Sequence, residues 1–397
     1  MNGRLSHQVH TACVDRTAGP TFRQSPSITN QKAVPHLTLT LRRGHRAVLA
    51  GALATTLLAA PAAAQDLRTA DSLDPSLASI EVSASTFGPG TVDTLVVGRN
   101  DDFADNLGGS ALAGTVGGPL LLTDGGPDAP IRQEVLEEIN TLLAPNAGPN
   151  CDDQPADVYI LGGPNAVSFA AAEEISIQGW CVERLEGPSR VETSVVVAQV
   201  IEGRTNGNVE AMVARSDNFA DSAAAGAYGS RFNVPILVTQ GTALHPAVRD
   251  FLFARDITFF DRVTLLGGTG ALSQGVEEEL RANAPDPASI VRISGSTRDE
   301  TSVAIANEYQ VRGGGTASVG LVNGFFPDGW VYALTGGAAA SVTDAPLVYV
   351  QTDSIPDGPF NYLYDNQPST IITFGPTDLV SDEVAAMARH AADQEVD

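Results

Sequence analysis

One segment of this chain is written twice, and the interval between the copies constrains the fold more than any single residue. Arg184, Gly187, Arg190, Glu192, Thr193 and Ser194 return as Arg292, Gly295, Arg298, Glu300, Thr301 and Ser302, each 108 positions later. A period of that length is a small domain repeated in tandem, and a repeated unit must bury its apolar face against its own kind or a neighbour.

Two further segments keep the same rhythm. Val96 to Asp105, which holds Arg99, Asp101 and Phe103, matches Met212 to Asp221, which holds Arg215, Asp217 and Phe219. A looser third copy runs from Gly320 to Asp328, with Asn323 where the arginine stands in the others. Tyr159 to Gly163 with Ala166 to Ser168 matches Thr264 to Gly268 with Ala271 to Ser273, and Ile372 to Gly375 with Leu379 to Ser381 is the third instance. Three modules therefore tile the chain, at 65–180, 181–290 and 291–390, followed by a short tail at 391–397. The first module has a degenerate start, Arg68-Thr69-Ala70-Asp71, and the third is degenerate in its middle segment.

Residues 1–64 read as a leader. Arg42, Arg43 and Arg46 precede an apolar run from Ala47 to Ala60 and the small residues Ala62 to Ala64, the three parts of a secretory signal with cleavage expected after Ala64. The run is too short to span a bilayer, which takes about 20 residues, so the expectation is a secreted protein with no membrane span. The whole chain carries a net charge of −24. Seven of its 23 basic residues, including Lys32, the single lysine, lie in the leader, so the remainder is still more acidic. Nucleic acid and anionic lipid need a basic footprint and are excluded as main partners. Cys13 leaves with the leader, and the remaining pair, Cys151 and Cys181, reads as a disulfide in an exported chain.

Within the second module short β-branched runs alternate with longer amphipathic stretches: Val182 to Leu185, 189–202, Ala211 to Ala214, 218–230, Pro235 to Thr239, 245–255, Val263 to Leu266 and 273–283. Apolar runs without strict alternation predict strands buried on both faces, hence small α/β modules with mostly parallel sheets covered by helices. Ser189 with Glu192, and Thr297 with Glu300, fit a capping box at a helix start. The Asp101 to Asp105 loop, the Gly162-Gly163 loop and the Gly187 to Arg190 turn all follow strands and fall at the carboxyl edge, where open α/β sheets place ligands. Cys181 precedes its strand, which sets the disulfide at the opposite edge.

Arg99, Arg215, Arg190 and Arg298 are thus gathered at one edge of a very acidic chain. Two roles fit them: bidentate capture of carboxylate or phosphate groups on a polymer, or internal pairing with Asp101, Asp105, Asp217, Asp221 and the capping glutamates. Asp105, Asp221 and Asp328 are each expected in a first helical turn, where negative charge favours the helix dipole. Phe103, Phe219 and Phe326 read as core plugs, and Gly162, Gly163, Gly267 and Gly268 as turn glycines. No metal site or cofactor is assigned, since no calcium-loop spacing appears and only His245 and His390 remain beyond the leader. There is no Gly-x-Ser-x-Gly elbow and no lysine for a phosphate loop or Schiff base, so the chain reads as a non-enzyme.

Taken in order, Arg184, Gly187, Arg190, Thr193, Asp217, Phe219, Asp221, Pro235, Gly267 and Gly268 resemble the cell-wall-binding repeat 2 family, and the likeness covers nearly all of residues 65–397. The resemblance implies three tandem α/β modules packed as an intramolecular pseudo-trimer, holding the protein noncovalently on an anionic cell-wall polymer at the cell surface. It also implies polymer contacts by arginines near the module junctions, here Arg184, Arg190, Arg292, Arg298, Arg99 and Arg215. The alternative is an envelope protein of the same fold that self-associates or binds another protein; a secreted glycoside hydrolase, which needs carboxylate pairs, stands third.

Overall fold

The computed structural model describes residues 65–144, 151, 155–205, 210–253 and 260–394. The expected signal sequence and its cleavage site lie outside these. Twelve parallel-paired strands in three four-stranded sheets carry the described residues. The first sheet has the order β3 (Leu120–Thr123), β2 (Leu95–Arg99), β4 (Val158–Leu161), β5 (Val182–Leu185). The second repeats it as β7 (Ile236–Thr239), β6 (Glu210–Arg215), β8 (Arg262–Leu266), β9 (Ile290–Ile293). The third runs β11 (Leu347–Val350), β10 (Ser318–Asn323), β12 (Thr370–Phe374), β1 (Gln65–Arg68).

The apolar runs become strands for the expected reason. Val96, Val97, Leu121, Leu122, Ile160 and Leu161 are fully buried, so both faces of the first sheet are covered. The repeat boundaries, however, are not sheet boundaries. β5 opens the second repeat in sequence but pairs with β4 of the first, in the register Ile160↔Arg184 and Leu161↔Leu185. β9 likewise pairs with β8, and β1 pairs with β12 at the far end of the chain. Each repeat thus lends its first strand to the preceding sheet, and the first repeat lends its strand to the third, closing a ring.

Helices α1 (Pro75–Thr86), α5 (Arg190–Arg204) and α10 (Arg298–Val311) follow the lent strands and pack on β3, β7 and β11 of their own modules. At the centre α2 (Gly109–Val116), α7 (Gly226–Phe232) and α11 (Gly329–Thr343) pack against one another. Small residues permit that approach: the Ser110 hydroxyl donates to the Leu334 carbonyl at 2.7 Å and Ser230 to Ala338 at 3.0 Å. This is the pseudo-trimeric packing that the resemblance implied. The stretch expected as one helix over 218–230 divides into α6 (Ala220–Ala224) and α7, because Ala225 takes φ −78° and ψ −7° between them. The outer faces are covered in pairs by α3 (Gln133–Leu142) with α4 (Phe169–Ser176), α8 (Pro246–Phe253) with α9 (Gln274–Asn283), and α12 (Asp357–Asn366) with α13 (Asp382–Ala392).

Cys151 and Cys181 form a disulfide with Cα atoms 5.4 Å apart. Cys181 stands just before β5, at the amino edge of the first sheet, so the bond and the carboxyl-edge loops are at opposite ends of the strands.

Candidate functional site

Arg99 and Arg215 are the last residues of β2 and β6, and each reaches forward two residues to a carboxylate. Arg99 Nε and one terminal nitrogen donate to Asp101 at 2.6 and 2.7 Å, and Arg215 donates to Asp217 at 2.7 and 2.7 Å. These bidentate pairs hold Asp101 and Asp217 below the ordinary carboxylate range, chiefly through the arginine hydrogen bond. The carboxylates are the more exposed partners, at 50% and 64% of their side-chain surface against 20% and 29% for the arginines.

Arg190 and Arg298, the first residues of α5 and α10, face these pairs from the next repeat. Arg190 donates to the Ser216 carbonyl at 2.9 Å and lies over the Phe103 ring of the first module at 5.8 Å. Phe103 meets Phe219 at 5.9 Å between ring centres, so aromatic packing fixes the junction that Arg190 covers. Arg298 repeats the bond to the Gly324 carbonyl at 2.6 Å and lies over Phe325 at 5.4 Å. Between the second and third modules a cleft of about 220 Å³ collects Arg215, Asp221, Gly268, Arg298 and Thr301.

Asp105 and Asp221 sit beneath the paired arginines. Burial raises both carboxyls above their usual range. Thr193, Arg99 and Arg190 work against that at Asp105, and Arg215 and Arg298 at Asp221. The turn glycines are tied to the same carboxylates: Gly162 and Gly267 have φ of +83° and +89°, and a Cβ there would lie 2.6 and 2.4 Å from the Oδ2 atoms of Asp105 and Asp221. Positive φ and close approach both require glycine. Gly163 and Gly268 follow in these loops; a Cβ on Gly163 would meet Glu186 Oε2 at 3.0 Å.

The remaining two arginines of the expected set are engaged differently. Arg184 donates to the carbonyls of Gly162 and Ser168 at 2.8 and 3.1 Å, and Arg292 to the Gly267 carbonyl at 2.6 Å and to Glu277 at 2.9 Å. They clamp the glycine turns of the preceding sheet. Arg68, at the degenerate start of the first module, does the same for Gly375 in the third. The two expected capping boxes differ: Ser189 accepts from the Val191 N–H and donates its hydroxyl to Glu192, whereas Thr297 makes no side-chain cap bond and Glu300 accepts from the Ser296 backbone N–H at 2.7 Å, one residue before the expected partner.

The third junction is built without the arginine pair. Asn323 is 2% exposed and turned inward, donating to the Leu379 carbonyl at 2.7 Å and accepting from the N–H groups of Phe325 and Phe326. Asp74 occupies the position before α1 and accepts from Arg132 at 2.7 Å. The expectation of Asp105, Asp221 and Asp328 in equivalent first turns is corrected. Only Asp221 is inside a helix, whereas Asp105 lies in the turn before α2 and exposed Asp328 stands just ahead of α11. In the first module the Asn106 side chain bonds the carbonyls of Arg99 and Asp102, which keeps the loop open until Gly109. Thr193 and Thr301 enter the sequence reading as repeat positions, Thr193 also among the residues of the family resemblance, and neither is assigned a bond there. Their hydroxyls accept from the N–H groups of Gly187 and Gly295 at 3.2 and 3.1 Å, and their common interval of 108 was the signal.

Among the described residues no group of three His, Cys, Asp or Glu is placed to hold a metal ion, and no helix is long and apolar enough to cross a membrane. Three sheets that share edge strands around a helical hub, with charged loops repeated at one edge, define a repeat-built binding protein. Residues 47–171, 184–277 and 292–385 match the cell wall binding domain 2 (CWB2) family, and the chain belongs to that family. Membership gives it a binding role at the cell wall. Among its relatives is the N-acetylmuramoyl-L-alanine amidase LytC of Bacillus subtilis, 27% identical over 74% of this chain and 53% of the relative. The amidase enhancer of the same organism is 23% identical over 74% of this chain and 36% of its own length. The chain therefore spans about half or less of these relatives. Cwp8 from Clostridium difficile shares the fold with a TM-score of 0.70 at 22% identity, covering 83% of this chain and 52% of that one. Cwp6 gives 0.68 at 19% identity over 82% and 48%.

Proposed function

We propose that this protein is secreted and attaches noncovalently to an anionic cell-envelope polymer, with Arg99 and Arg190 at one module junction and Arg215 and Arg298 at the next as the contacts. The observation that carries this reading is the cleft where Arg215 and Arg298 come from successive modules onto one buried carboxylate, Asp221. A phosphate or carboxylate group arriving there meets two guanidinium groups already held in place by backbone carbonyls and carboxylates, so little side-chain entropy is lost on binding. Arg184 and Arg292 support the site indirectly by clamping the turns that carry Gly162 and Gly267.

The strong negative charge of the chain opposes an anionic polymer at long range. Screening shortens that repulsion to a Debye length of about 10 Å at 0.1 M salt, leaving local capture by the arginines. Retention of the purified protein on protein-free wall of the source organism tests the reading. The parent is expected to sediment with the wall and to be released as salt rises, and a folded Arg190→Ala, Arg298→Ala double variant to stay in solution. A folded parent that stays in solution at every salt concentration would instead favour an envelope protein that binds itself or another protein.

A further inference from the structure

The third module has replaced its charged pair rather than merely lost it. The bond from Arg190 to Ser216 and its counterpart from Arg298 to Gly324 equate those two carbonyl positions. Arg215 therefore corresponds to Asn323 and Asp217 to Phe325. A bidentate ion pair in two modules has become an amide and an aromatic ring in the third. Because the shorter Asn323 folds inward, the edge of the third sheet opens into a cleft of about 530 Å³, within the size range of small-molecule sites.

Two features give that cleft a defined chemistry. Phe325 keeps 40% of its surface exposed, held by Arg298 over its ring, while Phe326 packs partly against the core. Opposite them the segment from Gln351 to Ser354 brings an amide, a carboxylate and hydroxyls to the rim. The segment is preformed: Gln351 N–H donates to the Ser354 carbonyl at 3.0 Å, Ser381 N–H donates to the Thr352 carbonyl at 2.9 Å, and Asn323 donates to the Thr352 hydroxyl at 3.0 Å. No arginine lines the cleft, and Asp353 places a negative charge in it.

We propose that this cleft binds an uncharged sugar unit of a glycan. The negative face of a phenylalanine ring attracts the polarised C–H bonds on one face of a pyranose. Asp353 and Gln351 offer acceptors and donors for its hydroxyl pairs, and a carboxylate accepts such bonds more strongly than a neutral group does. An anionic group is disfavoured by Asp353, and Arg298 beside the cleft is turned onto the Phe325 ring and the Gly324 carbonyl. Only the origin of the glycan in the wall rests on the function proposed above; the sugar chemistry rests on the cleft.

Calorimetric titration of the full protein with maltotriose, mannotriose and chitotriose as uncharged probes, and with trigalacturonate as a charged one, tests the proposal. Expected is binding of at least one uncharged trisaccharide, undiminished between roughly 0.05 and 0.5 M salt. That binding is at least about fivefold weaker in Phe325→Ala and in Asp353→Asn, both exposed positions, with unchanged circular dichroism. Arg190→Ala, remote from the cleft, lowers retention on wall but leaves trisaccharide binding as it was, which separates the two sites. The proposal is overturned if the folded protein binds none of the uncharged probes, if Phe325→Ala and Asp353→Asn weaken trigalacturonate binding more than that of the uncharged probes, or if binding of the uncharged probes is equal in both cleft variants and the parent.

Discussion

The guanidinium of Arg68 donates to the carbonyl of Gly375, 307 residues further along the chain, at 2.5 Å. A second nitrogen reaches the Val380 carbonyl at 2.9 Å and Asp382 at 3.2 Å, and Arg389 returns the contact by pairing with Asp66. These bonds fasten β1 to the third sheet and so close the ring of modules through side chains as well as through the ladder. Hydrogen bonds to a charged group contribute about 1.5 to 3 kcal/mol. Arg68→Ala is expected to lower unfolding free energy by about that amount, and hydrogen exchange should rise in β12 before it rises in β8. Equal exchange in the two strands would show that the closure does not hold the third sheet.

The Cys151–Cys181 bond closes a separation of 30 residues at the amino edge of the first sheet. Chain entropy for a loop of that size gives about 3 to 4 kcal/mol. A Cys151→Ser, Cys181→Ser double variant should therefore melt earlier yet bind wall as the parent does, because the bond and the junction loops lie at opposite ends of the strands. Loss of wall binding in a variant that is still folded would contradict that separation.

Burial lifts the Asp221 carboxyl above its ordinary range in the folded protein. A raised folded value means the fold keeps its proton to higher pH than the unfolded chain does. The associated stability is present in full below the unfolded value of about 3.9 and is lost as pH rises through the folded one. Asp221→Asn, which cannot ionise, is thus expected to melt above the parent at neutral pH, with the difference shrinking as pH falls through the carboxylate range. A variant that melts below the parent at neutral pH would mean that Arg215 and Arg298 need the charge more than burial penalises it.

The central helices meet through Gly114, where a Cβ would stand 2.1 Å from the Ser230 hydroxyl oxygen and 2.4 Å from its Cα. Backbone cannot yield there as a flexible side chain would. Overpacking of this kind costs about 1 to 3 kcal/mol, so Gly114→Ala is expected to lower the denaturation midpoint accordingly. Gly90→Ala is the comparison: its site is open space but has φ of +65°, so its loss reports backbone strain alone.

Much of the architecture could be read from intervals. The 108-residue recurrence of Arg184 and Arg292 announced the modules, and buried runs such as Leu120 to Thr123 announced parallel strands. The same interval marked the junction residues, but not their division of labour. Arg190 and Arg184 lie six positions apart in one repeated block of sequence, yet one covers a junction and the other clamps a glycine turn. Which carbonyl a guanidinium reaches depends on the strand beside it, and that strand comes from another repeat. The split between α6 and α7 depends on a backbone turn at Ala225 within an unbroken run of small residues, so periodicity carried no sign of it.

The sequence by itself determined the number of modules, the alternation of strands and helices in the second of them, and the cysteine pair, because these follow from local periodicity and composition. Tertiary structure decided which sheet each module's first strand completes and what became of the third junction. Both are non-local. A parallel edge strand joins whichever sheet its following helix allows it to reach, so β1 pairs with β12 across the whole chain. The exchange of Arg215 and Asp217 for Asn323 and Phe325 became a cleft only because Asn323 could turn inward onto the Leu379 carbonyl.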